Sequence, residues 1–152
     1  LKLDKFCFVR HPLHWYQSAF RYSNDRKWPA TWTKKRKHVF ATLRSFRSNY
    51  FESFVIRMCA YNPGYLANLY AKYTNGDHTT TCRYENMCED LIGVLTRHGY
   101  DVDPEQVRAM YDTKVNRSRG RYDLTLKPAT MDRLLESEAA TFQRYGYEPE
   151  GA

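Results

Sequence analysis

Phe6-Cys7-Phe8-Val9-Arg10-His11-Pro12-Leu13-His14-Trp15-Tyr16-Gln17-Ser18-Ala19-Phe20-Arg21-Tyr22 changes its hydrophobic rhythm once, at Pro12. Upstream, Asp4 to Val9 is a run of aromatic and β-branched residues bounded by charge, which suits a short buried strand. Downstream, Trp15, Ser18, Ala19 and Tyr22 recur at helical spacing, and a proline with fixed φ and no N–H fits the first helical position. The stretch is expected to be strand, tight turn, helix. Arg10 then falls at the carboxyl end of the strand, and Ser18, eight positions later, lies two turns into the helix. Both can face a crevice at the strand tip, where open α/β sheets bind ligands.

Strand-Arg-x-Pro-x-x-x-x-x-Ser on such a joint resembles the 3′-phosphate-binding segment of sulfotransferases that use 3′-phosphoadenosine 5′-phosphosulfate (PAPS) as co-substrate. In that family the arginine and serine of the segment hold the nucleotide 3′-phosphate, which implies that role for Arg10 and Ser18. The chemistry agrees, because an arginine presents a planar fork of donors to phosphate oxygens and a hydroxyl adds one more. His14 departs from the aspartate that many members carry. On the residues alone, an arginine capping a strand end and a serine inside a helix remain an equally open reading.

With 152 residues, 42% of them hydrophobic and 16% aromatic, the chain has the material for one packed domain. It contains no uninterrupted apolar run of membrane-spanning length and no basic-then-apolar leader, so it reads as soluble. Cys7, Cys59, Cys82 and Cys88 show no Cys-x-x-Cys spacing, which favours free thiols in a cytoplasmic setting over a disulfide framework. His78, Cys82 and Cys88 straddle an expected strand and helix, a poor arrangement for zinc. The net charge of +7 is unevenly placed: residues 1–50 carry twelve Lys and Arg against Asp4 and Asp25, and the remainder is net acidic. A basic front half fits an anionic ligand, although Lys34-Lys35-Arg36-Lys37 can equally be a solvated helix face.

Helix is expected from about Lys34, with Val39, Phe40, Leu43, Phe46 and Tyr50 on one stripe, a break near Ser48-Asn49, and Phe54, Val55 and Met58 continuing it. Asn62-Pro63 is expected to open another helix that Asn75-Gly76 closes with a pair suited to positive φ, its inner side being Tyr65, Leu66, Leu69, Tyr70 and Tyr73. His78 to Arg83 reads as a second strand, followed by a helix from Cys88 to His98 that Gly99 ends. Asp103-Pro104-Glu105 starts a short helix to about Tyr111 with a carboxylate cap. Pro128 opens a last helix to about Tyr145, with Met131, Leu134, Leu135, Ala139 and Phe142 on one side.

The second strand–helix joint, Tyr84-Glu85-Asn86-Met87, also resembles the family, whose tyrosine at this place approaches the adenine. Tyr84 is thereby implied as an adenine contact, with Asn86 where the family usually has aspartate. Val115 to Tyr122 is a basic loop, similar in position to the family's loop that closes over the 3′-phosphate, which implies Arg117, Arg119 and Gly120 as further nucleotide contacts. Asn116-Arg117-Ser118 also fits the N-glycosylation pattern, a tripeptide frequent by chance.

The resemblance runs over most of the chain and implies an α/β fold: the mostly helical part of a P-loop-type, three-layer sulfotransferase domain with about two short parallel strands. A Lys-x-Gly-Thr-Thr-like phosphosulfate loop does not occur in the sequence, and it and the usual His or Glu base are expected to precede Leu1. The chain is thus expected to be a carboxyl-terminal part, residues 1–152 forming a single partial domain, with no catalytic or metal-ligating residue assignable within it. The implied reaction is transfer of a sulfuryl group from PAPS to a hydroxyl or amine acceptor, glycans included. Open alternatives are a basic aromatic nucleic-acid-binding module, which Arg, Lys, Tyr and Trp together also suit, and a nucleotide-binding remnant without activity. A two-stranded sheet lacking a neighbour would also be expected to cover its open edge by self-association.

Overall fold

A computed structural model describes residues 5–25, 43, 45–76, 78–112 and 121–149 of the chain. Arg117, Arg119 and Gly120, the run Lys34-Lys35-Arg36-Lys37, and Val39 and Phe40 lie outside these residues. In chain order the elements are β1 (Lys5–Val9), α1 (Pro12–Asp25), α2 (Phe51–Tyr61), α3 (Tyr65–Thr74), β2 (Thr79–Arg83), a 3-10 turn (Tyr84–Asn86), α4 (Met87–Arg97), α5 (Pro104–Asp112), α6 (Pro128–Ser137) and α7 (Ala139–Tyr145). The described residues are therefore α/β and mostly helical. Contacts divide the chain into two compact units, one of Leu1–His11 with Asn68–Arg117, the other of Pro12–Ala67 with Ser118–Ala152.

The first unit is built on β1 and β2, which run parallel with Lys5 opposite Thr79 and Val9 opposite Arg83. Lys5 N donates to His78 O at 2.8 Å. In this register the odd-numbered residues of β1 turn their N–H and C=O toward β2, and the even-numbered ones turn them away. The side chains of Val9, Tyr70, Cys82 and Val94 are buried and form the unit's small core. Outside it, Arg108 forks to Glu89 at 2.8 Å and meets Glu105 at 2.6 Å, an exposed ion-pair set that ties α4 to α5. Asp103 caps α5 as the sequence suggests, accepting from Glu105 N at 3.0 Å and Gln106 N at 3.3 Å.

Gly99, at φ +77°, ends α4 in the left-handed region that glycine tolerates best. Gly76 departs from expectation. It is not in the left-handed region, and its role is close approach: a Cβ there would stand 2.7 Å from Thr79 Oγ1, in the turn where Thr79 N donates to Gly76 O at 3.1 Å. Gly76→Ala should therefore destabilise the first unit by about 1 kcal/mol, the low end for overpacking because the position is exposed. Thr79→Ala in the same chain should restore most of the loss. Urea titrations of the two single variants and the double variant give the coupling, and strict additivity would contradict the contact.

The second unit carries the larger core. Tyr16 and Phe20 of α1, Phe51, Phe54, Val55 and Met58 of α2, Leu66 of α3 and Leu134 of α6 are nearly or fully buried. The buried face of α1 is Leu13, Tyr16, Ala19, Phe20 and Ser23, rotated by one position from the Trp15, Ser18, Ala19 and Tyr22 stripe read in the sequence. Trp15 and Tyr22 are half-buried beside it. The expected break near Ser48-Asn49 is present, since residues 47–50 are not helical and α2 begins at Phe51. Tyr50 precedes α2 in an extended conformation and is 74% exposed, so it leaves the apolar stripe.

Two helix ends differ from expectation for reasons outside their own segments. Asn62 closes α2, its N–H bonding to Met58 O at 2.8 Å, instead of opening α3. Gly64, at φ +67°, then redirects the chain and donates its N–H to Ser137 O at 2.9 Å, so α3 starts only at Tyr65. The helix expected from Pro128 to Tyr145 is two helices, interrupted at Glu138 with φ −107° and ψ 17°. Ahead of the break, Glu52 accepts from Thr130 Oγ1 at 2.9 Å and pairs with Lys127 at 3.2 Å, securing the first turn of α6. No helix among the described residues is long and apolar enough to cross a membrane.

Candidate functional site

β1 and β2 end side by side, and the residues that follow them are Arg10 and Tyr84. The guanidinium carbon of Arg10 stands 4.5 Å from the centroid of the Tyr84 ring, a cation–π contact. Tyr84 itself is 40% exposed. The Nε of Arg10 is buried and has no hydrogen-bond partner among the described residues. A donor on a permanently charged group, dried and left unpaired, is costly unless an acceptor arrives. The pair thus presents a cation and an aromatic face at the carboxyl ends of two parallel strands.

Local bonds fix both residues. Tyr70, buried in the first unit, places its hydroxyl on the backbone of Arg10, accepting from Arg10 N at 3.2 Å and donating to Arg10 O at 3.1 Å. His11 N donates to Glu85 Oε1 at 2.8 Å, which links the residue after Arg10 to the residue after Tyr84. At the second joint, Asp90 accepts from Arg83 N at 2.7 Å and from Asn86 Nδ2 at 2.8 Å, bracing the turn that carries Tyr84. The Asn86 side chain thus binds Asp90.

The structure brings Arg10 and Tyr84 together in the first unit. Ser18 is half-buried on α1 in the second unit. Arg117, Arg119 and Gly120 lie outside the described residues. Tyr70 and Glu85 were not singled out from the sequence as supports of Arg10. The period of α3 marks Tyr70 as inward-facing, but only the strand pairing shows that its hydroxyl meets Arg10. No group of three or more His, Cys, Asp and Glu capable of holding a metal occurs among the described residues. The thiols of Cys7 and Cys82 are raised above their ordinary values chiefly by burial, which favours the unreactive protonated form.

A second polar cluster lies in the second unit. Glu138 is fully buried; its carboxylate accepts from Tyr16 Oη at 2.8 Å, from Leu66 N at 3.2 Å and from Thr141 Oγ1 at 3.0 Å. Burial raises the carboxyl above its ordinary value despite these bonds, and burial with the neighbouring Glu138 raises the Tyr16 phenol. The sequence signal for it is an acid at helical spacing between Leu134 and Phe142, on the face otherwise read as core. Every bond is internal and the carboxylate sits over the first amides of α3, so the cluster is structural. Comparison with protein-family models, with curated proteins and with solved structures returns no match.

Proposed function

We propose that the chain is a PAPS-dependent sulfotransferase-type protein whose Arg10–Tyr84 site binds the 3′-phosphate and adenine side of the nucleotide. The observation that carries the reading is the buried, unpaired Nε of Arg10 beside the exposed Tyr84 ring, at the carboxyl ends of adjacent parallel strands. A phosphate oxygen supplies the acceptor that Nε lacks, and the guanidinium fork admits a second oxygen. The exposed tyrosine ring offers a surface for a purine to stack on. The resemblance implies Ser18, Arg117, Arg119 and Gly120 as further phosphate contacts, of which Arg117, Arg119 and Gly120 lie outside the described residues.

The bound nucleotide carries the sulfuryl group, and an acceptor hydroxyl or amine receives it, with glycans as one acceptor class. Arg10 and Tyr84 contribute anchoring and orientation. On this reading the two-stranded sheet belongs to a P-loop-type sulfotransferase fold.

Arg10→Ala should weaken binding of adenosine 3′,5′-bisphosphate by about 1.5–3 kcal/mol, tenfold or more in affinity, the range for a hydrogen bond to a charged group. The loss for adenosine 5′-monophosphate should be much smaller, because it has no 3′-phosphate. Calorimetric titration of both nucleotides decides the matter. Equal losses for the two, or no binding of the bisphosphate by the unmodified chain, count against the assignment. Affinity for single-stranded oligonucleotides that grows with their length would point to a nucleic-acid module instead.

A further inference from the structure

We infer that Tyr70 is a positioning residue whose hydroxyl fixes the backbone of Arg10 and so holds the guanidinium ready for an anion. The register gives the reason. Even-numbered residues of β1 point their backbone groups away from β2, and Arg10 continues that series one residue past the strand. On that edge a neighbouring strand would offer one carbonyl and one N–H. Tyr70 does the same with a single oxygen, accepting from Arg10 N at 3.2 Å and donating to Arg10 O at 3.1 Å.

The clamp matters because of what surrounds the side chain. A residue beyond the end of a strand is ordinarily free to vary φ and ψ, and each rotation of Arg10 swings its guanidinium away from the Tyr84 ring. Tyr70 can act as a fixed point since its ring is 2% exposed and lies edge-on to Tyr73 at 5.8 Å. Glu85 holds the following amide, His11 N, at 2.8 Å, so consecutive peptides are pinned from α3 and from the turn after β2. An arginine whose backbone is fixed before the ligand arrives loses less freedom on binding, and the gain appears as affinity. Tyr70 acts through Arg10 and makes no contact with a ligand in this account.

The inference rests on the nucleotide reading for its ligand, but the clamp can be tested without one. In the unmodified chain the Arg10 amide should exchange with deuterium as slowly as the β2-paired amides of Cys7 and Val9, and in Tyr70→Phe it should exchange at least tenfold faster while Cys7 is unchanged. Arg10 exchanging at the rate of an open loop in the unmodified chain overturns the inference, with no dependence on how the variant folds. So does an unaltered rate in a folded Tyr70→Phe. For adenosine 3′,5′-bisphosphate, Tyr70→Phe should lower affinity about three- to tenfold, and should have no further effect in an Arg10→Ala background. An equal loss in both backgrounds would make Tyr70 a direct contact or a global support, and would overturn the positioning role. Slow Arg10 exchange that depends on Tyr70, together with no nucleotide binding by the unmodified chain, would retain the clamp and remove the nucleotide reading.

Discussion

Glu138→Ala should lower the stability of the second unit by about 3 kcal/mol, the scale for removing one member of a buried charged hydrogen-bond set. The side chain is 0% exposed and receives Tyr16 Oη, Leu66 N and Thr141 Oγ1, so truncation leaves three buried donors without their acceptor. Each such group costs about 1–3 kcal/mol when left dry. Part of that sum is offset, because a desolvated charge disappears and water can enter the space. Urea unfolding followed by circular dichroism measures the difference, and a loss under 1 kcal/mol would mean that the donors find other partners at little cost.

Glu138→Gln separates charge from shape and fixes the sign of the pH dependence. Burial is the leading influence on the carboxyl and raises it from an ordinary 4.5; the hydrogen bonds from Tyr16, Leu66 and Thr141 lower it without cancelling that rise. A carboxyl with a raised folded value binds its proton more tightly when folded. Its contribution is therefore fully present below the ordinary glutamate value and is lost as pH rises through the raised one. The stability of the unmodified chain relative to Glu138→Gln should be greatest in acid and decline toward neutral pH. A difference that grows with pH over the same interval would reverse the assignment and place a stabilised carboxylate in the core.

What the sequence disclosed was local chemistry, and what it concealed depended on distant partners. Pro12 and Asp103-Pro104 mark the starts of α1 and α5 because a proline at the first helical position and a carboxylate cap act within one turn. Both strands were legible from their β-branched and aromatic runs. The interruption at Glu138 was not, since residues 128–145 keep an unbroken helical period, and Glu138 bonds to Tyr16 and Leu66, which are 122 and 72 positions away. The buried face of α1 lies one position from the Trp15, Ser18, Ala19 and Tyr22 stripe for a similar reason. Tyr16 and Phe20 are inward because Phe54 meets both rings, at 6.1 and 5.8 Å, and periodicity alone allows the neighbouring stripe equally well.

The same distinction applies to the site. Arg10 and Tyr84 were each nominated from a motif, while their 4.5 Å contact follows from the register of Val9 opposite Arg83, which no segment specifies alone. Tyr70 is harder still. Its inward position on α3 is readable from the helical period, but a buried tyrosine hydroxyl needs a partner, and sequence does not say which. Here that partner is the backbone of Arg10, the arginine proposed for phosphate.

Phe20→Ala should be the most damaging single core truncation in α1, costing the second unit about 3–5 kcal/mol. The side chain is 1% exposed, and its ring meets Phe51 at 5.4 Å, Phe54 at 5.8 Å and Tyr122 at 5.5 Å, two of the three edge-on. Removing it forfeits burial and aromatic contacts to three partners at once, and the fully or nearly buried rings of Phe51 and Phe54 have little freedom to collapse into the space. Phe6→Ala is the control of equal chemistry. That ring is 44% exposed on β1 and touches Phe8 edge-on at 6.0 Å, so its loss should cost the first unit about 1 kcal/mol. The Tyr122 contact adds a local readout: amide exchange in residues 121–127, a segment without helix or strand, should quicken in Phe20→Ala before global unfolding. Similar losses for Phe20→Ala and Phe6→Ala, with residues 121–127 unaffected, would place the weight of this core elsewhere than on the Phe20 ring.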